Sequence, residues 1–562
     1  MPERCKSLPA FCLAAAMVCL IPAGIEARQG PGRASPDPLQ AALERQIREP
    51  VSRLFDHPDE RVPRGRIQRR LLEFYRERGM QPVWTTQDGP NGLAATLRQA
   101  LVTADTQGLE PADYSVGQIG RYWEARDAPR LARLELLLTL SLADYVADLV
   151  EGRRAPRLID PKLFPTARDT EFDPAALIRT CLACGDLGFF LDDQAPPFTQ
   201  YRELRLKLAE FRSLAAKGGW PGVLAGPSIK PGGRDARLSA VRKRLKVTGE
   251  WTGDPPPDEE VYDDALATAV ERFQRHHGLD PDRIIGRATV AAMNVTAAER
   301  ARQIVLNMES WRWVSRDHGD WQIMVNIPSF SLTGLRNDKA DLTMSVIVGD
   351  AFHMTPVFSD RMRYVEFNPY WDIPASIARD EMLPKLRKDP NALKKDRIRI
   401  FAGPGAGENE VDPATVDWQT VSPDAMVRYH LRQDPGPDCA LGLLGFLFPN
   451  DFAVYLHDTP ALSLFQYPQR TFSHGCVRVA RAVDLAVYLL RGQGKDWDEQ
   501  RVRDLIAAGK NKVVRLDTPV PIYILYNTAE VDPADHEIFF YRDVYGRDRL
   551  LEKALFPNAK RR

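Results

Sequence analysis

A chain of 562 residues is long enough for several domains, each with its own core. Its 76 Lys and Arg balance its 76 Asp and Glu, so no basic excess favours a nucleic-acid partner and none is expected. At 44% hydrophobic residues the composition is that of ordinary globular domains, with low-complexity sequence confined to short Pro/Gly linkers.

The N-terminus departs from that picture. Arg4 and Lys6 precede an apolar run from Leu8 to Gly24, followed by Ile25-Glu26-Ala27, the pattern of an export signal over 1–27. The alternative is an uncleaved anchor, although the run is short for a spanning helix and Pro22 interrupts its end. Both readings take the bulk of the chain out of the cytoplasm, and membrane contact is expected only through such an anchor. Cys5, Cys12 and Cys19 lie in this segment. The remaining Cys181, Cys184, Cys439 and Cys476 are too few for a disulfide-built fold of this size. Cys181 and Cys184 form a lone CxxC, which falls short of a zinc site and reads as a local disulfide or as small buried residues.

A Pro/Gly/Ser-rich linker spans Gln29 to Asp37, and helical patterning dominates up to about residue 250, giving a scaffold domain over 28–250. Leu131 to Leu149 is strongly apolar but carries Arg133, Glu135, Asp144 and Asp148, so it reads as a buried helix rather than a membrane span. The WTGDPPP stretch from Trp251 marks a boundary. Beyond it Leu266, Val270 and Phe273 line one helical face, and Ile285-Gly286 with Thr289 opens a second helix ending near Met293-Asn294. The series Ala269-Val270, Phe273-Gln274, His277-Gly278-Leu279, Ile285-Gly286, Thr289 and Met293-Asn294 resembles the small helical peptidoglycan-binding domain of cell-wall enzymes, here over 251–300.

Thr296-Ala297-Ala298-Glu299 fits a capping box and starts a linker helix. From Gln322 the period becomes two: Ile323, Val325 and Ile327 alternate, then Leu342, Met344, Val346 and Val348, which predicts a strand-rich domain over 301–562. Pro-rich and helical sequence interrupts the sheet at about 361–430, an excursion able to act as a lid or substrate clamp. Phe452, Val454 and Leu456 predict a half-buried strand with His457 near its end, where the sheet resumes at Ala453. Val483 to Leu490 predicts an amphipathic helix and Pro519 to Tyr526 a closing strand. The expected fold class is therefore multidomain α+β.

The tight grouping of His457, His474 and Cys476 is the candidate for chemistry. A nearby imidazole can raise the small thiolate fraction of a cysteine near neutrality. His457 lies on the strand, whereas His474 shares a face with Cys476 on an extended backbone, so spacing alone leaves the base open between them. A zinc site from these three residues lacks the usual spacing. A papain-like order would place the cysteine first. A buried structural cysteine leaves Ser473-His474-Gly475-Cys476-Val477-Arg478 unexplained.

His457-Asp458-Thr459 with that Ser-His-Gly-Cys-Val-Arg stretch resembles the signature of L,D-transpeptidases with a YkuD-type catalytic domain. Asn368-Pro369-Tyr370-Trp371, Ile373-Pro374, Pro435-Gly436-Pro437 and Phe448-Pro449-Asn450 extend the likeness to the large periplasmic branch. The resemblance implies a periplasmic enzyme without cofactor or metal, acting on peptidoglycan stem peptides, with a tetrapeptide donor and a diaminopimelate acceptor. It implies Cys476 as nucleophile and His457 as base, held by the Asp458 carbonyl. Amides near Gly475 and Cys476 would form an oxyanion hole, Ser473, His474 and Arg478 would shape the pocket, and Trp371 and Tyr370 would contact substrate. A 3→3 cross-link is the implied product, and carbapenems the implied inhibitors. Related acyl transfers, such as attaching protein to the wall or exchanging D-amino acids, share the same cysteine, and a non-catalytic wall-binding scaffold is the remaining alternative. Cys439 and Gly445 stand where the resemblance leads one to expect asparagine and lysine. Cys439 could sit near the site, where a disulfide to Cys476 is a disfavoured hypothesis; without the lysine, weaker contacts to acidic substrate are expected.

Overall fold

The computed structural model describes residues 37–49, 64–163, 173–316, 319–403, 409–491, 493 and 497–557. The export segment and nearly all of the linker after it lie outside the described residues. The fold is multidomain α+β, with a helical N-terminal region, a small helical unit and a strand-rich domain carrying an inserted subdomain. Among the described residues no helix is long and apolar enough to cross a membrane.

The helical stretch up to residue 250 contributes to three cores. Residues from Leu39 to Leu191 form one around the helix Ala128–Glu151. The helix Thr199–Ala216 instead packs Tyr201, Leu204, Leu208 and Phe211 into the core of the strand-rich domain. Val223, Leu238, Val241 and Leu245 join the small helical unit around Phe273. Within Ala128–Glu151 the buried charge expected from the sequence is satisfied locally. Glu135 accepts from the amides of Val83 (2.6 Å), Trp84 (2.9 Å) and Thr85 (2.9 Å) and from the Tyr75 hydroxyl (2.7 Å). The capping box forms as the sequence predicts, with Thr296 and Glu299 exchanging bonds at the start of the helix Ala297–Trp313.

The main sheet begins with β1 (Trp321–Asn326), β2 (Ser331–Arg336), β3 (Lys339–Gly349) and β4 (Phe358–Phe367). The inserted subdomain follows with β5 (Trp371–Asp372), β6 (Ile398–Ala402) and β7 (Tyr429–Gln433), a separate three-stranded sheet ordered β5-β7-β6. The main sheet then continues with β8 (Leu444–Leu447), β9 (Leu456–His457), β10 (Thr471–Ser473), β11 (Val477–Val479) and β12 (Lys512–Leu525). Its nine strands run β10-β3-β11-β9-β8-β4-β12-β1-β2. Because β3 pairs with β2 along its first part and with β11 and β10 along its last, the sheet closes on itself.

Two sequence expectations change here. The strand β4 runs past Arg361 to Phe367, so the excursion leaves later than periodicity suggests, and the sheet resumes at Leu444, before the expected Ala453. The subdomain has its own core around Leu383, Leu386, Ile400, Trp418 and Leu431, which accounts for its apolar periodicity. The strand expected from Phe452 shrinks to Leu456–His457. Asn450 is the reason: its amide donates to the carbonyls of Phe448 and Val454, and its carbonyl accepts from Phe452 and Val454 N–H, taking backbone bonds a strand would need.

Strand alternation then divides the sheet chemically. Val365, Phe367, Leu444, Phe446, Leu456, Val477 and Val479 point into the core, each burial stabilising by roughly 1.5–3 kcal/mol. The intervening residues Glu366, Gly445, His457 and Arg478 share the opposite face.

Replacing Glu135 by alanine leaves the amides of Val83, Trp84 and Thr85 without their acceptor inside a core. The expected loss is about 3–5 kcal/mol of stability, read from chemical denaturation of the whole chain.

Candidate active site

The parallel pairing of β9 with β11 sets Leu456 opposite Val477 and His457 opposite Arg478. Tyr455, two residues before His457, consequently stands beside Cys476, two residues before Arg478. The Val477 amide donates to the Tyr455 carbonyl at 3.1 Å and locks that juxtaposition. The Tyr455 backbone N–H and hydroxyl both face the sulfur, and the Tyr455 and His457 rings lie 5.8 Å apart. Tyr455 was not among the residues singled out from sequence, although its i, i+2 relation to His457 on a strand was the available signal.

His457 is buried, and its Nδ1 lies 2.6 Å from the Asp458 carbonyl. A carbonyl only accepts, so Nδ1 carries the proton and Nε2 is the unprotonated nitrogen of the neutral ring. Burial, and after it the Arg478 charge, pull the imidazole down to about 4, against the opposing pull of the Asp458 and Leu441 carbonyls. Cys476 is half-buried, and its Sγ contacts the Ala453 carbonyl at 3.8 Å. Burial pushes the thiol up, outweighing the Tyr455 groups and Arg478, which favour the thiolate. Both groups are therefore neutral at rest near pH 7.

The loop before the cysteine is tightly determined. Gly475 has φ +112°, a conformation that glycine adopts without penalty. Its carbonyl accepts from Thr355 Oγ1 at 2.8 Å, which in turn accepts from the Gly349 amide at 2.9 Å. Ser473 Oγ donates to the Cys476 carbonyl at 2.5 Å and accepts from the Gly475 amide at 3.2 Å. The Cys476 amide makes no hydrogen bond among the described residues and is the donor left open at this turn. Tyr545 from the C-terminal segment braces the same loop through the Gly349 carbonyl at 2.5 Å.

The other sequence-derived residues take distinct positions. His474 turns toward the inserted subdomain, with Nε2 2.9 Å from Glu381 and its ring 4.6 Å from that of His353. Glu381 lies on a π turn, Ala378–Met382, next to Pro384, which has no N–H to donate to the helical ladder. Asp458 turns its carboxylate to the Leu443 amide at 2.9 Å, away from its own carbonyl's work on His457. Arg478 has a buried Nε without partner among the described residues and forms no ion pair there. Trp371 packs on the subdomain core, while Tyr370 is exposed beneath Arg432, whose guanidinium lies 4.4 Å from the ring centre.

All four described cysteines are free. Cys439 is fully buried, and its thiol contacts the Pro369 carbonyl at 3.7 Å, in place of the disulfide considered for it. Cys181 is buried and Cys184 exposed on the helix Pro174–Cys184, unbonded to one another. Among the described residues no group of His, Cys, Asp and Glu could hold a metal ion.

With both groups neutral at rest, a thiolate on Cys476 requires a base, and His457 Nε2 is a candidate to take the proton. Alkylation of Cys476 by iodoacetamide should accordingly accelerate with rising pH, with its inflection above the ordinary thiol range. A rate already at its plateau near about pH 6 would reveal a resting thiolate–imidazolium pair and contradict this assignment.

Residues 69–208 match a family model described as a scaffold domain, 234–293 one described as a "Putative peptidoglycan binding domain", and 320–522 that of the L,D-transpeptidase catalytic domain. A curated relative from Haemophilus influenzae, named "Putative L,D-transpeptidase", is 34% identical over 253 residues, covering 45% of this chain and 49% of the relative. The chain thus spans about half the length of the curated relative it matches. Solved L,D-transpeptidases from Xylanimonas cellulosilytica and Stackebrandtia nassauensis are each 12% identical to it. They cover 54% and 55% of this chain and 98% and 97% of their own, with TM-scores of 0.17 and 0.20, too low to bear on the fold.

Proposed function

This chain carries an L,D-transpeptidase catalytic domain and a peptidoglycan-binding domain, and on that premise we propose that it cross-links peptidoglycan stem peptides through a thioester on Cys476. The observation that carries the reading is the Cys476–Tyr455–His457 cluster, with its Nδ1-anchored imidazole and an open amide at the nucleophile.

His457 Nε2 takes the thiol proton, and the thiolate adds to the carbonyl of the third residue of a tetrapeptide stem, a diaminopimelate. The oxyanion forms against the Cys476 amide. The C–N bond to the terminal D-alanine breaks, and D-alanine leaves with the proton from His457. Arg478, without an ion pair among the described residues, is suited to the carboxylate that the departing D-alanine carries. The side-chain amine of a second stem then replaces the sulfur, giving a 3→3 link. One amide is exchanged for another, so the reaction needs no energy source.

A groove of about 790 Å³ between the small helical unit and the loop joining His457 to Ser473 supports a polymer partner. Arg287, Tyr467, Gln469, Tyr541 and Arg542 line it together with Asp280 and Asp282, a mixture of aromatic, amide and charged groups that suits a polar glycan. Peptidoglycan lies outside the cytoplasm, which assigns the protein an extracytoplasmic workplace, the periplasm on this reading.

Wild type and Cys476→Ala, each incubated with tetrapeptide-bearing muropeptides, should differ completely by mass spectrometry. The expected result is a 3→3 dimer and free D-alanine with wild type alone. The same products from the alanine variant would dispose of the thiol mechanism.

A further inference from the structure

The amide left open at Cys476 belongs to the same peptide unit as the Gly475 carbonyl. In a planar trans peptide these two groups point in opposite directions. Whatever grips the Gly475 oxygen therefore sets the direction of the Cys476 N–H. That grip comes from Thr355, in the segment between β3 and β4, whose Oγ1 lies 2.8 Å away on a fully buried side chain. A hydroxyl has one proton, and Thr355 Oγ1 already accepts from the Gly349 amide at 2.9 Å. Its proton is accordingly committed to the Gly475 carbonyl.

The bond acts where the backbone is loosest. Gly475, at φ +112°, has no Cβ to restrict rotation on its side of the peptide. Its own amide is taken by Ser473 Oγ at 3.2 Å and is not open to a developing oxyanion. With the Gly475 oxygen held toward Thr355, the Cys476 N–H is turned the other way and meets no acceptor among the described residues.

Thr355 is itself held from several directions. Gly349 lets the segment 350–355 fold back upon it, since a Cβ there would collide with the His353 carbonyl oxygen. The Thr355 N–H donates to Tyr545 Oη at 3.3 Å, and that hydroxyl donates to the Gly349 carbonyl at 2.5 Å. Both terminal nitrogens of Arg547 donate to the Thr355 carbonyl at 3.3 Å, while its Nε pairs with Asp160 at 3.0 Å. Tyr545 is fixed in turn by its amide on Tyr526 Oη at 2.8 Å and by stacking on the Tyr526 ring. Tyr526, Tyr545 and Arg547 all lie past residue 522, where the match to the catalytic family model ends.

We propose that Thr355 is the positioning residue for the oxyanion amide, and that the C-terminal segment serves acylation by holding Thr355 through Tyr545 and Arg547. This role rests on the thioester reading above and names what aims its oxyanion donor. Thr355 acts on the reaction through a single peptide plane. Without its hydroxyl the thiol and His457 stay in place, but the Gly475–Cys476 peptide is free to rotate. A dipole already aimed at the developing charge then becomes one that must be reoriented during the step.

The test compares two reactions of the same sulfur in the full chain. Acylation uses a tetrapeptide donor whose diaminopimelate amine is acetylated, so that it acylates but does not accept, and it passes through an oxyanion. Alkylation by iodoacetamide displaces iodide at a saturated carbon and forms none. Thr355→Val keeps the side-chain shape and removes both hydroxyl bonds. It should slow the appearance of acyl-enzyme, followed by intact mass, roughly ten- to hundredfold, short of the loss from deleting an oxyanion donor outright. Its alkylation rate, and the pH dependence of that rate, should match wild type, which general damage to the site would not allow. Thr355→Ser should restore acylation. Tyr545→Phe keeps the stacked ring and removes the oxygen between Gly349 and Thr355. It should show the same selective loss at about two- to tenfold, a reading that stands even if the valine variant does not fold. A wild-type acylation rate in Thr355→Val would overturn the assignment to Thr355, and the same rate in Tyr545→Phe that to the C-terminal segment. Equal losses of acylation and alkylation would overturn both. Absence of any acyl-enzyme in wild type, with Cys476 still alkylated, would instead sink the thioester reading beneath them, a distinguishable failure.

Discussion

The parallel pairing of β9 with β11 is the constraint from which the chemistry follows. Two short strands, Leu456–His457 and Val477–Val479, run side by side, and their register places Tyr455 against Cys476 and His457 against Arg478. A slip by one residue would turn His457 into the core and bring Leu456 to the site, because side chains alternate between faces. What prevents the slip is apolar: Leu456, Val477 and Val479 are fully buried in the strand-rich core, and the neighbouring β8 and β4 repeat the same alternation. Packing on one face thus pays for precision on the other.

Burial also decides how the site rests. The environment that orients His457 strips it of water and lowers its proton affinity, while the thiol beside it is disfavoured as an anion. On the proposed mechanism, Cys476 is then a nucleophile that stays neutral until substrate arrives. A resting thiol is also a poorer target for oxidation than a resting thiolate. The buried, neutral His457 carries a stability consequence as well. Its folded value lies below the unfolded one, so its contribution is intact above the unfolded pKa and is lost as pH falls toward about 4.

Much of this was legible in the sequence where the signal is local. The Ser-His-Gly-Cys stretch, the capping box at Thr296, the buried helix around Glu135 and the alternation from Ile323 are short-range patterns, and each corresponds to an element of the structure. The Asp458 carbonyl, expected to hold the His457 ring, lies 2.6 Å from its Nδ1. Thr355 was illegible for the opposite reason. It becomes a neighbour of the site only by reaching a carbonyl 120 residues further along the chain, and nothing beside it marks it as special. The same holds for Glu381, whose partner His474 lies across the inserted subdomain. The overlong strand expected before His457 failed because alternation ignores side chains that compete for backbone, as Asn450 does.

The central claim is that Cys476 forms a thioester with the donor peptide and that His457 is required to form it. Peptide mapping of the full chain after brief exposure to the acetylated tetrapeptide donor tests this most directly. The account predicts a tripeptide adduct on the fragment containing Cys476, accompanied by release of D-alanine, and no adduct in His457→Ala. An adduct at another residue, or an undiminished adduct in His457→Ala, would contradict it.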